Sequence, residues 1–266
     1  MPGALTIGVD LWTPGHAAQP GAPGCRVRCS PQDALTRLGG RTALSHESAA
    51  RVHGIELLRD TGVDRVTVPR ERGRARLDGW LISRADVECA DRSDGLAVTT
   101  PARTVADLAR VLTLHQAVAA ADSAVRRGIV TVPALIDALA GARGPGAGRL
   151  RAVASLVDGR SGSVVESAAR VELHLAGLPP PELQYEVRDE WGRVVARVDL
   201  AWPARRWIVE VDGFAFHSDR LAYRRDREKM NELERLGWRI LRVTWEDVVL
   251  RPAAFVELVR ECLVGT

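Results

Sequence analysis

The sequence predicts an α/β protein of two domains, with a layered α/β core at the C-terminal end and an α+β domain before it. Its 266 residues exceed the usual size of one domain and are enough to bury a large core. From residue 163 the patterns follow one another as helix, three strands, helix, strand and helix. Two of the strand patterns flank a short polar break, which indicates a β-hairpin.

The composition is typical of a soluble globular protein, with 46% apolar and 27% charged residues. No apolar run approaches the roughly 18 residues that a membrane helix requires. The start of the chain also lacks a signal-peptide pattern. We therefore expect a cytoplasmic protein with no membrane partner. Four scattered cysteines exclude a disulfide framework.

The N-terminal part of the chain is predicted to contain an arm and a domain. Residues 1–40 are rich in glycine and proline and lack a clear period, which predicts a loop or an extended arm. Residues 41–158 form the predicted α+β domain, and residues 159–266 form the C-terminal domain. Within 41–158 we predict a helix at 42–53, strands at 63–68, 81–83 and 96–99, and helices between 100 and 157.

Arginines recur at every second position directly after the strand at 63–68. In an extended chain they project to one side, as a row of positive charge suited to phosphate groups. A solvated edge strand or loop is the alternative. The arginines are Arg70, Arg72, Arg74 and Arg76.

The C-terminal elements can be placed from caps and periodicity. A helix starts after Ser163, and a strand at 184–187 leads through a turn into the hairpin. A long charged helix follows from Ser218 to Leu236. An apolar strand at 238–245 and a final helix from Pro252 complete the domain.

The hairpin brings carboxylates together. If the break at 203–206 forms its loop, Trp202 pairs with Trp207 and Asp199 lies opposite Glu210. Side chains alternate along strands, so Asp212 then shares a face with both carboxylates. Like charges this close are costly unless a cation lies between them, and a hard divalent cation prefers oxygen ligands.

The middle of the chain resembles a known family. The segments ALSHESAARVHGIELL, VTVPR, TTPARTVADLAR and DSAVRRGIVTVPALIDAL are similar to the antitoxins of abortive-infection type IV toxin–antitoxin systems. That family usually begins with a winged helix, and residues 1–40 show no such pattern. The resemblance implies a toxin as a candidate partner, while the arginine row keeps DNA contact open.

The C-terminal domain resembles the restriction-endonuclease-like PD-(D/E)XK nucleases. The segments EVRDEWGRVVARVDLAWPARRWIVEVDGFAFH and RRDREKMNELERLGWRILRVTWEDV look like a nuclease family related to very-short-patch repair endonucleases. The resemblance implies an α/β/α core with a mixed sheet, and Mg²⁺ or Mn²⁺ as the cofactor.

The same resemblance implies residue roles. Asp199 and Glu210 match the first and second metal-binding carboxylates of the family. Asp212 stands where the wider superfamily usually has lysine, which leaves His217 as a substitute basic or water-orienting group. Glu166 matches an acidic residue on the first helix that joins the metal site directly or through water.

Each of these residues also has a structural interpretation. Asp199 and Glu210 could form a surface pair bridged by an arginine, and Asp212 could belong to a strand-ending turn. His217 could cap the following helix, and Glu166 could close a capping box. On the long helix, phosphate binding and a solvated face are equally open for Arg220, Arg224 and Arg227.

The leading hypothesis is a divalent-metal-dependent DNA endonuclease or nickase. The main alternative is a non-catalytic DNA-binding regulator or antitoxin that keeps the nuclease fold as a scaffold. An RNA nuclease is a third reading, because no feature of the sequence distinguishes the two polymers. The oligomeric state cannot be assigned from the sequence.

Overall fold

The computed structural model describes residues 29–73, 75–87, 95–212 and 220–264. The chain divides into two compact units. The first runs up to Ile55 and from Arg59 to Leu108, and the second comprises Glu56–Leu58 and the chain from Ala109 onward. The α/β prediction is confirmed, since both units contain a sheet and helices.

The first unit is built on a three-stranded sheet in the order β1-β2-β3. Strand β1 is antiparallel to β2, and β2 is parallel to β3. Its elements are α1 (Pro31–Leu38), β1 (Ala43–Leu44), α2 (His46–His53), β2 (Asp64–Val68), β3 (Trp80–Arg84) and most of α3 (Pro101–Val111). Val98, from the third predicted strand, forms a single parallel bridge with Leu44.

Helix α1 corrects the prediction of a loop for residues 1–40. Ser30 caps this helix by accepting a hydrogen bond from Asp33 N–H, and Pro31 occupies the first helical position. Ala34 and Leu38 are buried in the core of the unit. The glycine- and proline-rich composition of the segment hid this capping pattern, and the residues before 29 lie outside the described ranges.

The second unit places helices on both faces of a four-stranded mixed sheet. The strand order is β4-β5-β6-β7; the first two pairs are antiparallel and β6 is parallel to β7. The strands are β4 (Glu182–Arg188), β5 (Val194–Trp202), β6 (Trp207–Asp212) and β7 (Arg239–Thr244). The helices are α4 (Leu114–Arg126), α5 (Val132–Ala140), α6 (Ala147–Leu156), α7 (Val164–Leu175), α8 (Arg220–Arg235), α9 (Trp245–Leu250) and α10 (Pro252–Val264).

The two faces of this sheet have separate cores. On one face, Val209, Val211 and Val243 pack with residues of α7, α9 and α10. On the other face, Ile208 packs with Leu233 of α8. This arrangement is the predicted α/β/α layering.

Helix α4 is fixed to α7 by a buried ion pair. The Asp122 carboxylate is fully buried and lies 2.9 Å from Arg170 Nη2. Asp122 also accepts a hydrogen bond of 2.6 Å from Asp158 N–H, and Arg170 donates one of 2.7 Å to the Leu156 carbonyl. The predicted domain boundary at residue 158 therefore lies inside the second unit.

None of the helices within the described ranges combines the length and the apolar character needed to cross a membrane.

Candidate functional site

The site is built around a matched irregularity in β4 and β5. Leu183 pairs with Leu200, and both belong to the core next to α7. Tyr185 pairs with Val198, and both pack in the core next to α8. The side on which each strand buries its side chains therefore reverses at the intervening residues, Gln184 and Asp199.

Gln184 has a left-handed backbone, with φ at 50°. Side chains other than glycine pay about 1–2 kcal/mol for this conformation. Such strain is often found at functional positions, where the surrounding structure enforces it.

Asp199 reaches across to the neighbouring strand. The hairpin has the predicted register, with Trp202 opposite Trp207 and Leu200 opposite Val209. One position further, Asp199 Oδ2 accepts a hydrogen bond of 2.9 Å from Val211 N–H. This contact fixes the Asp199 carboxylate against the backbone of β6.

Glu166 lies in the first turn of α7 and is 6% exposed. Its Oε2 accepts hydrogen bonds of 2.7 Å from Gly162 N–H and of 2.7 Å from Gln184 Nε2. Burial is the main cause that raises the pKa of Glu166, and the charge of Asp199 raises it further. The N-terminal end of the helix is a favourable place for its negative charge.

The Gln184 amide joins Glu166 to Asp199. Its Nε2 atom also donates a hydrogen bond of 3.2 Å to Asp199 Oδ1. One amide nitrogen therefore lies between two carboxylates that come from a helix and a strand.

Glu210 is the third carboxylate of the group and is 9% exposed. Its pKa is raised to about 7; burial is the main cause, and the nearby charge of Asp199 contributes to the rise. Lys229 of α8 opposes that shift, because its Nζ lies 2.8 Å from Glu210 Oε1. The ammonium group therefore favours the ionised carboxylate.

Asp212 lies at the edge of the group. Its side chain is 49% exposed and lies 3.3 Å from Arg242 Nη2, an ion pair open to solvent. Exposed pairs of this kind contribute little to stability.

The remaining predicted residues are the arginines and His217. Arg70 lies 3.5 Å from Asp86, Arg72 donates to the Gly39 carbonyl, and Arg76 is exposed, all within the connection from β2 to β3. Arg227 is exposed on α8. His217 and Arg74 lie outside the described residues, as do the side chains of Arg220 and Arg224. Phosphate contact by the arginines stays a prediction.

The carboxylates offer the oxygen ligands that Mg²⁺ and Mn²⁺ prefer. Asp199 connects the set, since its charge acts on both Glu166 and Glu210. Within the described ranges, however, no three His, Cys, Asp or Glu side chains converge closely enough to form a ready metal cluster. Nitrogen donors from Gln184 and Lys229 hold the carboxylates instead. The oxygen donors of the carboxylates fit a divalent cation in kind.

Sequence reasoning missed Gln184 and Lys229. Lys229 is the only lysine of the chain, and this rarity was the available signal. Gln184 shows no comparable signal, because one polar residue in a strand is ordinary and its backbone conformation depends on tertiary packing.

Comparisons with known proteins give a consistent result. Residues 181–263 match the family model REase_MTES_1575, which describes restriction-endonuclease-like domains. The chain is 30% identical over 245 residues to "Uncharacterized protein Rv2248" of Mycobacterium tuberculosis (strain ATCC 25618 / H37Rv) and to "Uncharacterized protein MT2308" of strain CDC 1551 / Oshkosh. Each alignment covers 92% of this chain and 88% of the relative. No solved structure matches the chain.

Proposed function

Since the chain belongs to the same family as these two mycobacterial proteins and carries a restriction-endonuclease-like domain, we propose that it is a divalent-metal-dependent DNA endonuclease or nickase. The observation that carries the proposal is the position of Asp199 beside two buried carboxylates, Glu166 and Glu210. Burying several negative charges together is unfavourable unless positive charge compensates them, so such groups are frequent at functional sites.

The three carboxylates are the residues that would hold Mg²⁺ or Mn²⁺, with Asp212 at the rim. Bound there, the ion would neutralise charge on the scissile phosphate and lower the pKa of a water molecule that attacks it. The chain's own task is to fix the carboxylate oxygens, which the Gly162 and Val211 N–H groups do.

In addition to His217, Lys229 is a candidate for the basic group of the site. Its ammonium lies 2.8 Å from Glu210 and its side chain is 27% exposed. A cation in this position is suited to neutralise charge that builds up on a phosphate oxygen in the transition state.

The DNA contacts are proposed to come from α8 and from the connection between β2 and β3, where the predicted arginines lie. Arginine suits phosphate because its planar group forms paired hydrogen bonds. A partner toxin and a cytoplasmic location complete the proposal, and both rest on the sequence alone.

Cleavage of supercoiled plasmid DNA with Mg²⁺ or Mn²⁺ tests the proposal. We expect nicked or linear product from the wild-type protein and none from Asp199→Ala or Glu210→Ala. The matched control is Glu257→Ala, an exposed carboxylate on α10 that should leave cleavage unchanged. Activity that persists in both site variants would refute the proposal.

A non-catalytic regulator is the second candidate. It is favoured by the contacts from Gln184 and Lys229, which satisfy the carboxylates without any metal ion. A gel-shift assay separates the two functions. Tight binding of DNA that does not depend on metal, together with no cleavage, would support the regulator.

A further inference from the structure

Gln184 takes the position between two carboxylates that a cation would take. We propose that Gln184 is a positioning residue: it holds Glu166 and Asp199 together in the metal-free protein, and it releases both carboxylates when a divalent cation binds. This inference rests on the proposed function and adds a specific step in the assembly of the same site.

The backbone conformation of Gln184 is unusual for a residue with a side chain. Gln184 has φ at 50°, a conformation that favours glycine, yet the chain keeps a long amide side chain here. The burial pattern of β4 and β5 reverses at this one level, which directs Gln184 and Asp199 away from regular strand positions. A long side chain at such a strained position is a candidate functional group.

The packing around the amide is tight. A Cβ atom built on Gly162 would lie 3.0 Å from Gln184 Nε2 and 3.0 Å from Glu166 Oε1. The backbone N–H of Gly162 can approach the Glu166 carboxylate only because no side chain intervenes. The site is therefore shaped to bring the amide and Glu166 into contact.

Backbone hydrogen bonds would keep both carboxylates in place if a cation displaced the Gln184 amide. Glu166 keeps the N–H of Gly162, and Asp199 keeps the N–H of Val211, whichever group lies between them. The amide offers only a partial positive charge to the two carboxylates. A divalent cation offers a full charge to the same oxygens and should therefore displace the amide.

Thermal unfolding with and without Mn²⁺ tests this competition, with Gln184→Met as the main variant. Methionine fills similar space but has no donor, so the metal-free variant should have a lower Tm than the wild-type protein. The Mn²⁺-bound states should differ less, because neither uses the donor. We therefore expect Mn²⁺ to raise Tm by more in Gln184→Met than in the wild-type protein.

Two results would overturn the proposal. An equal rise in Tm would mean that Gln184 has only a packing role, and a smaller rise would mean that Gln184 helps to bind the ion. If Gln184→Met does not fold, Gln184→Gly gives the same comparison, because glycine tolerates the left-handed backbone. Its control is Arg206→Gly, which also introduces glycine at a position with a left-handed backbone, where φ is 52°.

Asp199→Asn separates failure of this inference from failure of the proposed function. If Mn²⁺ raises the Tm of the wild-type protein but not that of Asp199→Asn, the metal site stands. If Mn²⁺ then raised the Tm of Gln184→Met by the same amount as that of the wild-type protein, the proposed role of Gln184 would be refuted and the metal site would not. If Mn²⁺ has no effect on the wild-type protein and no DNA is cleaved, both proposals fall.

Discussion

Glu210 shows how burial and charge oppose each other at one residue. Its carboxylate is nearly buried beside Asp199, yet it is paired with Lys229. The net result is a pKa raised to about 7, so burial outweighs the attraction of the lysine. A carboxylate whose pKa is raised on folding destabilises the folded protein whenever it is ionised.

The first prediction concerns this pH dependence and uses Glu210→Gln. The folded wild-type protein binds the proton of Glu210 more tightly than the unfolded chain does, so its free energy of unfolding should fall as pH rises from about 4.3 to about 7. Glutamine does not titrate. Relative to the wild-type protein, the variant should therefore gain stability over this interval, by up to about 4 kcal/mol.

Urea unfolding at a series of pH values between 4 and 8 measures the difference. Glu257→Gln, at an exposed site, is the control and should show no such trend. A difference between Glu210→Gln and the wild-type protein that stays constant with pH would contradict the prediction.

The second prediction concerns Lys229. Replacing it with methionine leaves the Glu210 carboxylate without its ammonium partner, so the pKa of Glu210 should rise further. The free energy of unfolding at pH 8 should fall by roughly 2 kcal/mol. Metal-dependent DNA cleavage should be lost as well, whereas Lys229→Arg keeps the charge and should retain part of both properties.

Unfolding curves at pH 5 and pH 8 test this prediction alongside the cleavage assay. The loss of stability should be small at pH 5, where Glu210 is protonated in both proteins. An equal loss at both pH values would assign a packing role to Lys229.

At the scale of elements, the hairpin was predictable and the reversal beside it was not. Two apolar runs around Pro203–Arg206 define the pairing of Trp202 with Trp207, because a short loop and a buried face leave few other registers. The reversal at Gln184 and Asp199 arises from packing against α7 and α8, which local patterns do not encode. The sequence-based prediction assumed that side chains alternate regularly along β5. This assumption fails at Asp199, where the buried side of the strand changes.

Among the helices, the start of α7 could be predicted from the sequence, whereas the contact that α8 makes with the site could not. The start of α7 was predicted because Ser163 gives a recognisable cap. Lys229 could not be assigned to the site, because α8 is separated from β6 in sequence and the contact with Glu210 exists only after α8 packs on the sheet.

The third prediction concerns the packing of α4 against α7. Arg170→Met removes the partner of the fully buried Asp122 carboxylate, and the loss should be about 3–5 kcal/mol. Adding Asp122→Asn should recover part of this loss, because the unpaired charge is then removed. Urea unfolding of both single variants and of the double variant gives the coupling between the two residues.

Arg251→Met is the control for this cycle. Arg251 pairs with Asp247 four residues earlier and is 64% exposed, so its loss should change stability by less than about 1 kcal/mol. Additive effects of the Asp122 and Arg170 substitutions would contradict the prediction.

At the scale of the whole molecule, the C-terminal sheet and the helices before it form one unit. A domain boundary at 158 was a reasonable inference from glycine and serine in the sequence around residues 159–163. The ion pair of Asp122 with Arg170 lies across that boundary and cannot be read from the sequence.

The fourth prediction tests this division with two truncated proteins. A fragment of residues 159–266 lacks α4 and leaves Arg170 and one side of α7 exposed to water. A fragment that starts at Ala109 keeps the whole helical layer of the second unit. Urea unfolding should show a higher free energy of unfolding for the longer fragment. Equal values would contradict this prediction and support a domain boundary at residue 158.

The single lysine has a practical consequence. Reagents that acylate primary amines can react with this protein only at the α-amino group and at Lys229. The acylation rate at Lys229 therefore reports how firmly the Glu210 carboxylate holds the ammonium group. The chain thus contains its own chemical reporter at the candidate site, which can be read by mass spectrometry without an introduced label.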